Sequence, residues 1–454
     1  MLTAVTAGYF LVLLDITIIN VALPTVSSEL HADLPTQQWV IDAYAISLAC
    51  LLLSGGKLGD MYGFKRVMLA GLTAFGAASA ACGLATGPGV LIAFRAVQGV
   101  GAAALLPASL AVITLMYHGD ERAQTRAISV WATVGSMAMP AGPLVGGLLV
   151  QFVGWRAVFL INLPIVAAAV VLIARLVDGR SGARPRTRLD LGGITLGAAT
   201  LCVATVAIID AGHAGPSVAV VASAVAAVLL LGAFVLCESR HPTPVLPLGI
   251  FRSRRTATAT VVTVLMSLVL LGTIFMITQY LQVALRLPPV IAGLAMTPLF
   301  IPLAACSFLA GRLLTRVGSA PIAVVGLVLG AFGLVGLSTL PGAGYGVVVG
   351  LSLVAIGAGV GLLTPAVVTA AMRESPPEHT GIASGVNNTA RQTGGAIGAA
   401  VFGAVIGTPG PTVAFTEGVR TAALVGAALW AIAAVVSVGI GPWHKSHRSL
   451  TSEG

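Results

Sequence analysis

The chain has 454 residues, of which 57% are hydrophobic and only 9% charged, and its mean hydropathy is +1.00. About a quarter of the residues in a soluble globular protein are charged, so this composition excludes a large soluble domain and predicts an integral membrane protein. A net charge of +9 would suggest nucleic-acid binding in a soluble protein. Here the basic residues fall in short loops between apolar segments, where they orient a membrane protein, and no nucleic-acid partner is expected.

About fourteen apolar segments of bilayer-spanning length follow one another, which predicts an all-α fold embedded in the lipid bilayer. Short polar or Gly/Pro breaks separate them. Their approximate limits are 4–24, 39–58, 67–86, 90–115, 127–150, 157–176, 191–209, 216–237, 257–280, 290–313, 321–340, 345–371, 381–406 and 421–440.

The two longest hydrophilic breaks, 177–190 and 238–256, divide the spans into groups of six, two and six. This division predicts two six-helix bundles with two inserted helices between them. The expected units are a first bundle at 1–176, an inserted pair with basic loops at 177–256, a second bundle at 257–441 and a tail at 442–454.

The basic residues predict the orientation of the chain. An even number of spans and a cytoplasmic start would place both termini in the cytoplasm. All but five of the 24 lysine and arginine residues then fall in cytoplasmic loops or the tail, as the positive-inside rule requires. Arg156, Arg286 and Arg420 fall outside, and Arg95 and Arg391 fall within spans.

Two aspartates lie within the first two segments. Asp15 is in the middle of the first, in LDITIINVALP. A carboxylate at bilayer depth costs roughly 2.5 to 3.5 kcal/mol on insertion scales and usually marks ion or proton chemistry, so Asp15 is the first candidate for proton coupling. A hydrogen-bonded buried acid is the alternative. Asp42 lies near the outer end of the second segment, where proton or substrate contact and a solvated or helix-capping role are both open.

The loop GKLGDMYGFKRVML joins the second and third segments on the cytoplasmic side. Gly56 and Gly63 permit a tight reversal, and Asp60 can accept hydrogen bonds from a helix N-terminus. Lys65 and Arg66 hold the loop inside. An ordinary basic turn would share these features, so the residues alone leave a gating role open.

Arg95 lies about one and a half turns into the fourth segment, where a guanidinium needs a partner or water. It could pair inside the bundle or extend to the outer surface. Gln98 lies three residues further on, on the same helical face, and is a candidate to line the substrate cavity.

The fifth segment contains the block GPLVGG, with Gly142, Pro143, Gly146 and Gly147. Proline removes a backbone hydrogen bond and glycine allows close approach, so a bend or a tight helix contact is expected there. Generic packing glycines would look the same.

The thirteenth segment is unusually polar for a membrane span. It contains Asn387, Asn388, Arg391 and Gln392. Contact with a substrate and a hydrogen-bond network between helices are equally compatible with this pattern.

Several of these motifs resemble those of one protein family. The loop around Asp60 resembles the signature of the major facilitator superfamily, whose aspartate is thought to lock the two halves in the outward-facing form by meeting a helix end in the second half. Met61 and Phe64 replace the basic residues commonly seen there, which weakens that part of the lock. LIAFRAVQGVGAA resembles the fourth-helix motif, whose arginine, here Arg95, is tied to proton transfer.

GPLVGG is similar to the antiporter motif of drug exporters, which uptake members generally lack. Together with LDITIINVALP, WVIDAY, SGVNNTARQTGG and QYLQ, it makes the chain resemble the fourteen-helix drug:proton antiporter branch. The resemblance implies that Asp15 and Asp42 serve coupling or cation recognition. From residue 257 onward no span contains a carboxylate. Exporters of dications often have one there, so we expect a neutral, zwitterionic or weakly anionic amphipathic substrate.

We therefore expect a proton-coupled efflux transporter for drugs, antibiotics or similar molecules in the bacterial cytoplasmic membrane, working as a monomer by alternating access. The energy source would be the proton gradient, with no cofactor and no metal. A proton symporter or uniporter that imports a metabolite would share the fold, and GPLVGG is the feature against it. A membrane enzyme would need a cluster of nucleophiles, metal ligands or cofactor contacts, and the sequence contains none.

Overall fold

Inside a bilayer, a long apolar segment can satisfy its backbone hydrogen bonds only as a helix or within a closed barrel. The computed structural model describes residues 2–117, 120–176, 190–214, 217–242, 244–340, 345–373, 380–410 and 412–439, and these form helices without strands. The tail at 442–454 and the basic run at 177–189 lie outside the described residues. The helices are α1 Leu2–Leu30, α2 Leu34–Tyr62, α3 Phe64–Gly83, α4 Pro88–Met116, α5 Glu121–Phe152, α6 Ala157–Leu160, α7 Asn162–Leu176, α8 Leu191–Ala214, α9 Val218–Arg240, α10 Arg254–Gln279, α11 Pro289–Ala295, α12 Thr297–Val317, α13 Ser319–Leu337, α14 Val347–Arg373, α15 Thr380–Ile406 and α16 Val413–Gly439.

Thirteen spans in the described part of the chain are long and apolar enough to cross a membrane. The pairs α6/α7 and α11/α12 each form one span, and the π-helical turn Tyr280–Ala284 extends α10. The more polar α15 occupies the position of the predicted thirteenth span. The predicted all-α membrane fold is therefore confirmed.

Most helices are longer than the apolar segments that predicted them. The second span begins at Leu34 because Asp33 caps α2, accepting a hydrogen bond from the backbone nitrogen of Thr36 at 3.0 Å. The first continues past Pro24 to Leu30. Hydropathy detects the length inside the hydrocarbon, whereas a helix continues into the interface until a cap or turn ends it.

The first bundle, α1–α7, packs α2 and α3 against α4, and α1 against α5. Leu11, Leu72, Phe75 and Leu105 lie at its centre. In the second bundle, α10–α16, α14 packs against α12 and α13, and α10 packs against α15. The indole of Trp430 on α16 is fully buried there and donates to the backbone oxygen of Leu265 at 3.2 Å.

The inserted helices α8 and α9 lie beside the line where the two bundles meet. α8 packs against α9, against α2 of the first bundle and against α15 of the second. No residue in the apolar stretch of α9 is buried, so that helix presents most of its surface to lipid. Among the described helices, α8 therefore makes the main contacts of the insertion with both bundles.

Candidate functional site

Asp15 and Arg95 form a buried ion pair inside the first bundle. Asp15 lies in the middle of α1 and Arg95 near the start of α4, and each side chain is 1% exposed. Nη1 of Arg95 donates to Oδ2 of Asp15. This contact excludes the interpretation in which Arg95 extends to the outer surface.

Gln98 connects the two charged groups. Its Nε2 donates to Oδ1 of Asp15 at 2.9 Å, and its Oε1 accepts from Nη1 of Arg95 at 2.9 Å. Both carboxylate oxygens of Asp15 thus accept a charge-assisted or amide hydrogen bond, an arrangement suited to an ionised acid.

The rest of the Arg95 guanidinium is also held in place. Its Nε donates to the backbone oxygen of Val40 at 3.0 Å, and its central carbon lies 4.4 Å from the centre of the Tyr44 ring. The Tyr44 hydroxyl donates to the backbone oxygen of Val12 at 3.2 Å. A buried cation is stabilised by such an aromatic face and by its hydrogen bonds, so Arg95 has one well-defined position.

The network continues through two residues that sequence reasoning missed. Ser79 on α3 accepts hydrogen bonds from Asn162 at 3.0 Å and from Gln98 at 3.4 Å, and its hydroxyl donates to the backbone oxygen of Phe159 at 2.9 Å. Both Ser79 and Asn162 are almost fully buried. The signal that could have found them is the one used for Asp15, namely a polar side chain inside an apolar span.

A small central cavity adjoins this network, and both bundles line it. Asn20, Tyr44 and Arg95 contribute from the first bundle, and Gln392 and Ala399 from the second. Its volume of about 20 Å³ accommodates one water-sized group. Gln98 lies behind Arg95 in the ion-pair network and is not among the lining residues, whereas Gln392 is.

The other polar residues of the thirteenth span have separate contacts. Asn387 accepts a hydrogen bond from the hydroxyl of Thr263 on α10 at 2.9 Å, a contact between helices of one bundle. Arg391 lies beside Tyr9 of the first bundle. Tyr9 stacks on Trp131 with ring centres 3.9 Å apart, so Arg391 and an aromatic pair face each other across the two bundles. Asn388 is half-buried.

Asp42 lies apart from the Asp15 network. It is fully buried on α2, and among the described residues neither carboxylate oxygen has a hydrogen-bond partner. Its neighbours Ala45 and Ile46 pack against Leu201 and Cys202 of α8. Asp42 therefore lies deeper than a solvated or helix-capping residue would.

The signature loop of the first bundle has a defined turn and an exposed aspartate. Gly63 has φ +90°, a conformation that favours glycine, and ends α2. Lys65 donates to the backbone oxygen of Ala174 at the end of α7 at 2.9 Å. Asp60 and Arg66 are exposed, and Gly56 packs loosely against Pro107.

The bundles meet closely at the end that the charge pattern assigns to the outside, where glutamines make hydrogen bonds between them. Nε2 of Gln38 donates to the backbone oxygens of Ala399 and Ala400 at 3.1 and 3.0 Å. Gln279 donates to Gln37 at 2.6 Å, and Gln282 donates to the backbone oxygen of Val21 at 3.0 Å. Sequence reasoning did not find these contacts.

The GPLVGG block takes part in the same closure. A Cβ atom on Gly147 would lie 2.7 Å from the backbone oxygen of Pro289, and one on Gly293 of α11 would clash with the backbone oxygen of Pro143. Gly142 and Gly146 lie against Thr17 and Ile18 of α1, where an added Cβ would also be too close. These glycines allow α5 to touch α1 on one side and the second bundle on the other.

The sequence profile of the Major Facilitator Superfamily matches residues 5–399. The chain belongs to the major facilitator superfamily. It is a multi-pass membrane transporter with a small-molecule substrate, and the fold predicted from its motifs is confirmed.

Similar proteins include exporters and resistance proteins. The chain is 35% identical over 408 residues to the tetracenomycin C resistance and export protein of Streptomyces glaucescens, covering 89% of this chain and 75% of that one. It is 37% identical to the puromycin resistance protein pur8 of Streptomyces alboniger, with coverage of 91% and 82%. It is 33% identical to the methylenomycin A resistance protein of Bacillus subtilis, with coverage of 88% and 85%.

Solved structures share the fold of this superfamily member at low sequence identity. A peptide transporter POT in complex with sulfate has a TM-score of 0.70 at 17% identity, covering 96% of this chain and 95% of that one. The nucleoside transporter NupG has a TM-score of 0.67 at 14% identity, with coverage of 97% and 99%. These likenesses concern the fold alone.

Proposed function

We propose that this transporter exports antibiotics or other amphipathic small molecules across the bacterial cytoplasmic membrane in exchange for protons. The observation that carries the proposal is the buried Asp15–Arg95–Gln98 network at the wall of a cavity shared by both bundles. The names of the similar proteins, which describe resistance and export, support the outward direction.

The network offers a way to couple the protonation of Asp15 to movement of the helices. With Asp15 ionised, Arg95 is paired and the site is electrically balanced. Protonation of Asp15 leaves Arg95 as a buried cation without its counterion, and breaking a buried pair costs about 3 to 5 kcal/mol. This cost drives the helices toward an arrangement that rehydrates or re-pairs Arg95, and it couples proton binding to movement.

Asp42 is a second candidate for carrying a proton, and its protonation state differs from that of Asp15. A charge without any partner is very costly in a dry interior, so we assign the neutral, protonated acid to Asp42 in this conformation. In a two-proton scheme Asp42 carries its proton while Asp15 is ionised. The two aspartates then differ because Asp15 has Arg95 beside it, whereas Asp42 pairs with no cation in the described part of the chain.

Contacts between the bundles at the end that the charge pattern assigns to the outside support an inward-facing conformation with both termini in the cytoplasm. Gln37, Gln38 and Gln282 hold the bundles together outside, while Asp60 of the cytoplasmic loop is exposed. In the outward-facing form these contacts separate, and Asp60 meets the second bundle. Exchange between the two forms carries the substrate across.

The substrate is neutral, zwitterionic or weakly anionic. Arg95 lines the cavity and Arg391 faces an aromatic pair across the bundles, and both side chains are positive. The aromatic stack of Tyr9 and Trp131 beside Arg391 suits a planar apolar group that carries a hydrogen-bond acceptor. Inward movement of one proton charge supplies about 2.3 kcal/mol per 100 mV, enough for uphill export.

Uptake into everted membrane vesicles tests the proposal. Vesicles energised by respiration should accumulate tetracenomycin C, puromycin or methylenomycin A, and a protonophore should abolish accumulation. Asp15→Asn should abolish accumulation while downhill movement persists, and Asp210→Asn, at an exposed aspartate of α8, should behave like the wild type. Full accumulation by Asp15→Asn at equal protein levels would refute the coupling role, and transport only in right-side-out vesicles would favour an importer.

A further inference from the structure

A second, larger cavity lies between the inserted hairpin and the line where the bundles meet. It has a volume of about 190 Å³ and lies on the cytoplasmic side of Asp42 along α2. Its walls come from α2, α8, α9, α15 and the segment after α9. The lining includes Leu53, Gly197, Leu231, Phe234, Thr389 and Thr393.

The walls of this cavity, which we term the hairpin cavity, are apolar and uncharged. No lysine, arginine, aspartate or glutamate is among the described residues that line it. An apolar cavity of roughly 150 Å³ can bind a benzene ring, so the hairpin cavity has room for one ring and a small substituent.

One polar group in the wall lacks a partner. The hydroxyl oxygen of Thr389 is buried and has no hydrogen-bond partner among the described residues. The hydroxyl of Thr200, by contrast, donates to the backbone oxygen of Leu196 at 2.7 Å in its own helix. A buried hydroxyl without a partner is unfavourable, so Thr389 is a ready donor for a ligand acceptor.

The cytoplasmic wall of the cavity is fastened to both the insertion and the first bundle. Glu238 at the end of α9 accepts from the backbone nitrogen of Leu246 at 2.9 Å, and Lys57 of α2 donates to the backbone oxygen of Pro244 at 2.9 Å. Val245 and Leu246, between these contacts, line the cavity. The site is thus a built enclosure, not a gap in loose packing.

We infer that the hairpin cavity binds an uncharged, mainly apolar molecule of about one ring with one hydrogen-bond acceptor, at a site separate from the Asp15 network. α9 forms its lipid-facing wall, so such a molecule reaches it from the membrane. α2 and α15 belong to different bundles, so the shape of the cavity changes as the bundles move. A bound molecule therefore favours one conformation over the other.

The native Cys50, which lines the hairpin cavity, reports its occupancy. We would replace Cys82, Cys202, Cys237 and Cys306 with alanine and measure alkylation of Cys50 by N-ethylmaleimide in liposomes. The probes are acetophenone, which has a carbonyl acceptor, and ethylbenzene, which has a similar shape without one. Acetophenone should slow the alkylation severalfold and saturably, and ethylbenzene should bind more weakly.

Three variants locate the effect. Gly197→Leu fills the hairpin cavity, since a Cβ there makes only ordinary contact with Phe234 at 3.4 Å, and it should remove protection. Gly232→Leu is the matched control on α9, because open space surrounds Gly232, and protection should persist. Thr389→Val should weaken acetophenone binding about two- to tenfold, as expected for loss of one hydrogen bond, and leave ethylbenzene unchanged.

The outcomes separate this inference from the proposed export. Equal, non-saturating effects of both probes in all variants would indicate bilayer perturbation and overturn the site. A Cys50 that is protected by lipid alone and becomes reactive in lipid-depleted detergent would indicate an acyl chain and overturn the small-molecule assignment. Drug accumulation in vesicles is measured on the same variants. Export can therefore persist when the cavity assignment fails, and the cavity can bind its probe when export fails.

Discussion

Gln98 donates a hydrogen bond to Asp15 and accepts one from Arg95, so one neutral side chain holds both members of the ion pair. Gln98 and Arg95 are three residues apart on one helix, which brings both to the same face. Asp15 reaches them from another helix. The geometry of this ion pair is therefore set by the packing of α1 on α4.

We expect Gln98→Leu to destabilise the protein by about 1.5 to 3 kcal/mol, the range for a hydrogen bond to a charged group. The variant leaves Oδ1 of Asp15 without its donor and removes an acceptor from Arg95. Reversible unfolding in detergent measures the change. Gln124→Leu is the control, at a half-buried glutamine of the same bundle whose amide makes only a 3.5 Å hydrogen bond to the backbone oxygen of Thr114. It should have a much smaller effect, and equal losses in both variants would argue against the network.

Ser79→Ala should cost about 1 to 3 kcal/mol, since Asn162 would lose its buried acceptor. Thr73→Ala is the matched control on α3, because its exposed hydroxyl bonds only to its own helix. Thermal unfolding of the two variants compares them. A stable Ser79→Ala protein with normal transport would show that the network ends at Gln98.

Gln38→Leu should shift the population toward the outward-facing form. It removes two hydrogen bonds between the bundles, each worth about 0.5 to 1.5 kcal/mol, so the equilibrium should move about 5- to 150-fold. Distances between spin labels at the outer ends of α2 and α15 measure the shift. Ser28→Ala, at an exposed serine of the same end, is the control and should leave the distances unchanged. Unchanged distances in Gln38→Leu would show that the outer hydrogen bonds do not stabilise the inward-facing form.

Gly147→Ala should force α5 away from α11, because the added Cβ would lie 2.7 Å from the backbone oxygen of Pro289. Overpacking costs about 1 to 3 kcal/mol, enough to weaken the outer closure. We expect a proton leak in liposomes, measured with an internal pH dye, and slower drug export. Gly350→Ala, where open space surrounds the glycine, is the control, and tight liposomes with Gly147→Ala would contradict the sealing role.

The sequence predicted much of the candidate site but few of its contacts. Asp15, Arg95 and Asp42 stand out because each is a charged residue in an apolar span, and GPLVGG stands out by composition. The partners of these residues could not be predicted. In the sequence, Ser79, Asn162 and Gln38 do not differ from other polar residues. Their hydrogen-bond partners lie on other helices, so only the packed structure shows them.

Hydropathy, charge and motif alone determined that this chain spans a membrane many times, which acids lie inside it and which family it resembles. These properties follow from the transfer of short segments into lipid, a local quantity that each segment carries by itself. Tertiary structure decided that Asp15 is paired with Arg95 while Asp42 has no partner among the described residues, and that glutamines join the bundles at one end. Those outcomes depend on which helix faces which, and helix packing joins residues that are as far apart in the chain as Gln38 and Ala400.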